Sequence, residues 1–128
     1  MENCHCIGIV DDDLAVRESI HLLLEAQGFQ VSEYISAADY LKNARPDCLL
    51  LVDLSMGDLD GLDLIDLLRD GDIETPVIFL IDIAEPHIAL RLSAISHCAR
   101  LNKPVTASAL LSAIGAATND GYCASRHT

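Results

Sequence analysis

Positive charge is scarce in this chain. Its 128 residues carry 8 Lys and Arg against 20 Asp and Glu, a formal net charge of −12, and a phosphate backbone would repel most of such a surface. Direct contact with nucleic acid is therefore not expected. No apolar run approaches transmembrane length, and Met1-Glu2-Asn3 lacks the basic region and apolar stretch of a secretory signal, so no membrane contact is expected either. The cysteines have no regular spacing. Cys4, Cys6, Cys48, Cys98 and Cys123 are an odd number, which argues against a disulfide framework and for a reducing, cytosolic location. Internal repeats and low-complexity segments are missing too. At this length, with 51% hydrophobic residues, the chain can bury one core and is too short for two domains.

Within that frame, short apolar runs alternate with stretches of helical periodicity, the pattern of an α/β fold with a doubly wound parallel sheet. Strands are expected over residues 6–10, 30–35, 48–52, 77–81 and 99–102. Helices are expected over 14–27, 37–43, 62–69, 85–95 and 106–117. Asp13, Ser36 and Thr106 stand where N-caps belong, Gly28 where the first helix should stop, and Pro86 in a first turn that tolerates proline. Residues 119–128 form a polar, glycine-containing tail that frays or begins a linker.

Two of the apolar runs end in carboxylates. Ile7-Gly8-Ile9-Val10 is followed by Asp11-Asp12-Asp13, and Leu49-Leu50-Leu51-Val52 by Asp53. Buried strands that deliver carboxylates at their carboxyl ends describe a cation site on the rim of a parallel sheet. Lys103-Pro104, after the last apolar stretch, adds an ammonium. Together these residues suggest phosphoryl chemistry on an aspartate.

Ile9-Val10-Asp11-Asp12-Asp13, Val52-Asp53-Leu54-Ser55-Met56, Asp60-Gly61, Thr75-Pro76-Val77-Ile78 and Lys103-Pro104 occur in the order and spacing of one family. Over residues 1–118 the chain resembles a response regulator receiver domain of two-component phosphorelay signalling. It looks closest to receivers of regulators that carry a DNA-binding output domain of the nitrogen-fixation type. The resemblance implies a five-stranded, flavodoxin-like sheet with helices on both faces, and a non-enzymatic phosphoacceptor that takes a phosphoryl group from a sensor histidine kinase or phosphotransfer protein.

A carboxylate that attacks phosphorus in line needs a divalent cation and a positive side chain nearby to neutralise the phosphoryl oxygens. Asp53 is the candidate nucleophile. Asp12 and Asp53 can supply the carboxylates that Mg2+ requires, with Asp11 bonding a coordinated water. By resemblance, the Ser55 backbone carbonyl completes the protein ligands, Lys103 pairs with Asp53 and later with the phosphoryl group, and the Lys103–Pro104 bond is often cis.

Departures from the family pattern concern the switch. Ile81 stands where receivers carry the threonine or serine that contacts the phosphoryl oxygen. Asp82 replaces a small neighbour and would repel an incoming anion. Arg100 replaces the switch aromatic, and Gly57 replaces the proline after Met56. Arg100 either pairs with Asp82 or is a solvated edge charge. The acceptor, acid pair and lysine thus persist without the usual relay, so an atypical output is expected. The alternative is a pseudo-receiver, a phosphorylation-independent interaction module.

Other features weigh less. Cys4-His5-Cys6 alternates faces on a strand and has no partner pair for zinc. His87 and His97 are read as surface histidines. Ile88, Leu92 and Ile95 beside Leu90 either form a broad buried face or leave apolar surface on the fourth helix, and the face from helix four to helix five is the expected contact for a homodimer or output domain. A haloacid dehalogenase would need threonine or valine at Ala15 and a larger core. A flavodoxin would need a hydroxyl- and glycine-rich loop where Asp11-Asp12-Asp13 stands.

Overall fold

Alternation along the strands decides which face of the sheet each side chain enters. In a computed structural model of the chain, which describes residues 5–56, 60–85, 88–94 and 99–120, five strands lie in one sheet. They are β1 (Cys6–Val10), β2 (Gln30–Tyr34), β3 (Leu49–Asp53), β4 (Val77–Ile81) and β5 (Ala99–Asn102), and every pairing is parallel. The order β2-β1-β3-β4-β5 is the doubly wound topology expected from the sequence. Between them run α1 (Leu14–Ala26), α2 (Ala37–Asn43), α3 (Gly61–Asp70), α4 (Ile88–Ala94) and α5 (Ala107–Asp120).

Two buried clusters cover the sheet. Ile7, Ile9, Leu49, Leu51, Ile78 and Leu80 meet Ile20 and Leu24 of α1 and Leu110 and Ile114 of α5. On the opposite face Val10, Leu50, Val52, Val77, Phe79 and Ile81 meet Tyr40 of α2 and Leu64, Ile65 and Leu68 of α3, with Leu92 of α4 packed against them. Strands β3 and β4 are buried at every residue, as central parallel strands must be when helices cover both faces. Each fully buried aliphatic side chain contributes roughly 1.5–3 kcal/mol relative to exposure.

Local signals set most boundaries. Asp13 accepts from the Val16 amide at 3.2 Å, Ser36 from Asp39 at 3.0 Å and Thr106 from Ala109 at 3.2 Å, so all three caps form as expected. Gly28 takes φ +94°, a left-handed conformation that glycine adopts without a Cβ clash. Most observed boundaries lie within one residue of expectation, α4 (Ile88–Ala94) is shorter than the expected 85–95, and two extensions bear on the argument. Strand β3 includes Asp53, because the ladder continues to Leu54, whose amide donates to the Leu80 carbonyl at 2.9 Å. Helix α5 runs to Asp120, two residues into the segment expected as tail, since residues 116–120 contain neither glycine nor proline. Pro86 lies outside the described residues.

Candidate functional site

Asp11 and Asp53 meet because β1 and β3 are neighbours in register. Ile9 pairs with Leu51, so two residues further on the side chains again stand abreast on the same face. Lys103 follows Ala99 and Leu101 by the same alternation from β5. Its amide donates to the Ile81 carbonyl at 2.8 Å, which holds the turn after β5 against the end of β4. The Lys103–Pro104 bond is cis.

The side chains converge. Lys103 Nζ lies 3.3 Å from Asp11 Oδ2 and 3.3 Å from Asp53 Oδ2, and ligand oxygens of Asp11, Asp12 and Asp53 lie within 4.8 Å of one another. Asp11 and Asp53 are buried, whereas Asp12 is exposed. Main-chain amides hold the other carboxylate oxygens: Asp13 N donates to Asp11 Oδ1 at 2.9 Å and Ser55 N to Asp53 Oδ1 at 3.1 Å. Burial, and then the charge of Asp11, push the Asp53 carboxyl up to about 7, against the opposing pull of Lys103 and the Ser55 amide. Burial alone would lower the Lys103 ammonium, but Asp53 and Asp11 together raise it.

Three carboxylates facing one ammonium leave an excess of negative charge. Asp11 Oδ2 is buried and, apart from the ion pair to Lys103 at 3.3 Å, has no hydrogen-bond partner. An orphaned carboxylate oxygen in such surroundings fits a hard divalent cation, which prefers oxygen ligands and takes one or two carboxylates from the protein. Mg2+ therefore suits the donor set. Asp82 is not part of it: that residue is exposed and accepts from the Ala84 amide at 2.9 Å, in a turn of its own.

Comparison with known proteins identifies the arrangement. The response regulator receiver domain family matches residues 7–115. The chain belongs to this family. Transcriptional regulatory protein FixJ of Azorhizobium caulinodans is 30% identical over 113 residues, covering 86% of this chain and 53% of the relative. Acid tolerance regulatory protein ActR of Sinorhizobium medicae is 35% identical over 111 residues, covering 83% and 56%. The receiver thus spans about half the length of these curated relatives. The crystal structure of FixJ-N superimposes with a TM-score of 0.79 at 28% identity, covering 94% of this chain and 97% of that one. A receiver domain protein from Clostridium thermocellum gives 0.77 at 26%, covering 90% and 94%. Receivers generally accept a phosphoryl group on an aspartate with Mg2+ held by acidic residues, and interact with histidine kinases or phosphotransfer proteins and with output domains.

At the positions expected to form a switch, Ile81 is buried in the cluster that contains Met56 and Phe79. Arg100 is exposed, and among the described residues no ion pair joins it to Asp82, which favours the solvated edge charge. Leu90 is 73% exposed, whereas Leu92 packs inward, so α4 is apolar on an outward side as well. Cys4, Gly57, His87, Ile95 and His97 lie outside the described residues. The cysteine expectation needs one correction: Cys48 is disulfide-bonded. One such pairing is compatible with irregular spacing because the fold, and not the spacing, sets which thiols meet.

Sequence reasoning passed over Arg17 and Glu33. Arg17 is buried on α1 and donates from Nη1 to the Asp11 carbonyl at 2.7 Å and from Nε to Glu33 Oε1 at 2.8 Å. A signal was present in that Arg17 stands three and seven positions before Ile20 and Leu24, on the buried stripe of the helix. An arginine there is seldom buried without a partner.

Proposed function

We propose that Asp53 is the phosphoacceptor of this receiver, acting in the cytoplasm on a phosphoryl group supplied by a sensor histidine kinase or phosphotransfer protein. The single observation that carries the reading is the Lys103 ammonium 3.3 Å from both Asp53 and Asp11. An oxygen of Asp53 attacks phosphorus in line; the new P–O bond forms as the P–N bond to the donor histidine breaks, and the electron pair returns to the imidazole. Lys103 follows the charge from the carboxylate to the phosphoryl oxygens. Asp11, Asp12, Asp53 and the Ser55 carbonyl would hold Mg2+, which supplies charge neutralisation at the phosphoryl oxygens. A groove of about 210 Å3 lined by Ala15, Val16, Ile20, Lys103, Pro104 and Val105 opens beside the lysine and supports docking of the donor there.

The domain extends through the end of α5 at Asp120, two residues beyond the expected limit of 118, and the face from α4 to α5 serves a homodimer or output domain, a reading that the exposed Leu90 supports. Output is atypical. Ile81 offers no hydroxyl to a phosphoryl group, and Asp82 and Arg100 offer neither the space nor the aromatic ring of the usual relay. The same observation favours a second reading, an interaction module that works without phosphorylation.

Intact-mass measurement after treatment with acetyl phosphate and Mg2+ separates the two. One added phosphate on the native chain and none on Asp53→Asn is expected. Equal labelling of both chains would remove the proposed acceptor, and no labelling of the native chain would leave the interaction module.

A further inference from the structure

Asp11 is fixed at three of its four polar atoms. Its amide donates to the Tyr34 carbonyl at 3.2 Å, its Oδ1 accepts from Asp13, and its carbonyl accepts from Arg17 Nη1 at 2.7 Å. Only Oδ2 is left, buried and 3.3 Å from Lys103 Nζ. Arg17 is in turn held by Glu33, whose second oxygen is bonded to His21 Nδ1, while His21 Nε2 lies 3.1 Å from Glu25. The frame thus reaches from the surface of α1 and β2 to the main chain of the acid pair.

We infer that Arg17 is a positioning residue for the acid pair, setting through the Asp11 carbonyl the direction in which Asp11 and Asp12 present their oxygens to a divalent cation. The inference rests on the metal reading above. Its sign distinguishes it from a simple charge effect. Arg17 is itself a cation close to the site, so by Coulomb's law alone its removal should tighten cation binding. As a positioning group its removal should loosen it, because the Asp11 carbonyl loses its buried donor and the following residues are freed to turn. Groups that orient metal ligands from behind typically change affinity by about 10–100-fold.

Mn2+ titration of the full chain, followed by the loss of the free-ion paramagnetic resonance signal, tests this. Arg17→Met keeps an apolar stem and removes both bonds; Arg17→Lys keeps the charge but not the planar fork that reaches two acceptors. Both are expected to bind Mn2+ about tenfold or more weakly than the native chain, well below their melting temperatures. Should Arg17→Met not fold, Arg17→Lys carries the test, because its charge is unchanged and any loss is geometric. Unchanged or tighter binding by the folded variants, with only a lowered melting temperature, would overturn the proposal and leave a purely structural arginine. Failure of the native chain to bind Mn2+ would overturn it together with the metal reading.

Discussion

At the residue scale, the site holds like charges within 4.8 Å of one another where water screens them poorly. Asp53 and Asp11 are both buried at the end of adjacent strands, and one ammonium does not balance them and Asp12. Burial first, and then the charge of Asp11, let Asp53 hold its proton up to about 7, against an ordinary value of 3.8. Between those two values the folded chain binds more protons than the unfolded chain, so stability falls as pH rises through that interval. Asp53→Asn removes the offending charge. In chelator at pH 8 the variant should be more stable than the native chain by roughly 1–3 kcal/mol, since one pKa unit corresponds to about 1.4 kcal/mol. Urea unfolding measures this, and a destabilised Asp53→Asn would refute the account. His21 acts in the same direction of pH, but there it is the charged form that the fold favours. Burial alone would lower its pKa, but hydrogen bonds to Glu33 and Glu25 raise it; Glu33 is lowered, burial being outweighed by bonds from Arg17 and His21. The His21 contribution is fully present below its ordinary 6.5 and is lost as pH rises through the raised folded value. The Glu33 contribution is present above 4.5 and is lost as pH falls through the lowered one. His21→Asn should therefore cost about 1 kcal/mol or less near pH 6, and the difference should vanish by about pH 9. A difference that stays constant across that range would show that packing, and not charge, is at work.

At the element scale, helix starts are what bring the rim of the sheet together. Helix α3 begins in a capping box, Asp60 accepting from Asp63 N at 3.1 Å and Asp63 from Asp60 N at 3.3 Å. Its first residue is pressed onto the end of β3. A Cβ on Gly61 would stand 2.7 Å from the Asp53 carbonyl oxygen and 3.1 Å from Phe79 Cε1. Neither neighbour is the free end of a flexible chain. Gly61→Ala should cost roughly 1–3 kcal/mol, as overpacking usually does, and should also slow labelling of Asp53 by acetyl phosphate because the strain falls on its own peptide. Thermal melts and intact-mass time courses check the two parts; full stability in the variant would sink the contact. These elements were largely legible beforehand, because caps, glycines and apolar periods are local signals. Asp11, Asp53 and Lys103 were legible for the same reason, each extending an alternating strand by one step. Arg17 and Glu33 were not, since their bond joins residues 16 positions apart and no period records it. The α5 end and the Cys48 pairing were likewise missed, the first because a polar composition does not stop a helix, the second because it depends on three-dimensional proximity.

At the scale of the whole molecule, the question is whether phosphorylation at one rim can move the opposite face. Propagation needs a group at the end of β4 that changes partner, and a vacancy into which something can swing. Ile81 is almost wholly buried and belongs to the cluster on the α2 and α3 side, with Leu92 of α4 packed on that same cluster. Moving it toward a phosphoryl group would expose apolar surface and gain no hydrogen bond, so no differential interaction favours the moved state. Arg100 is already in solvent and carries no aromatic ring. Beryllium fluoride with Mg2+, a stand-in for the phosphoryl group, should therefore shift amide resonances at residues 11–13, 53–56 and 103 while leaving 88–94 and 99–102 nearly unchanged. Ile81→Thr should extend the perturbation into β5 if the missing hydroxyl is what uncouples the two faces, at a stability cost of about 1–3 kcal/mol for the buried polar group. Large shifts across α4 and β5 in the native chain would mean that the relay runs by another route. Equal, local shifts in native and Ile81→Thr chains would place the block at Arg100, where the ring is absent, and not at the hydroxyl.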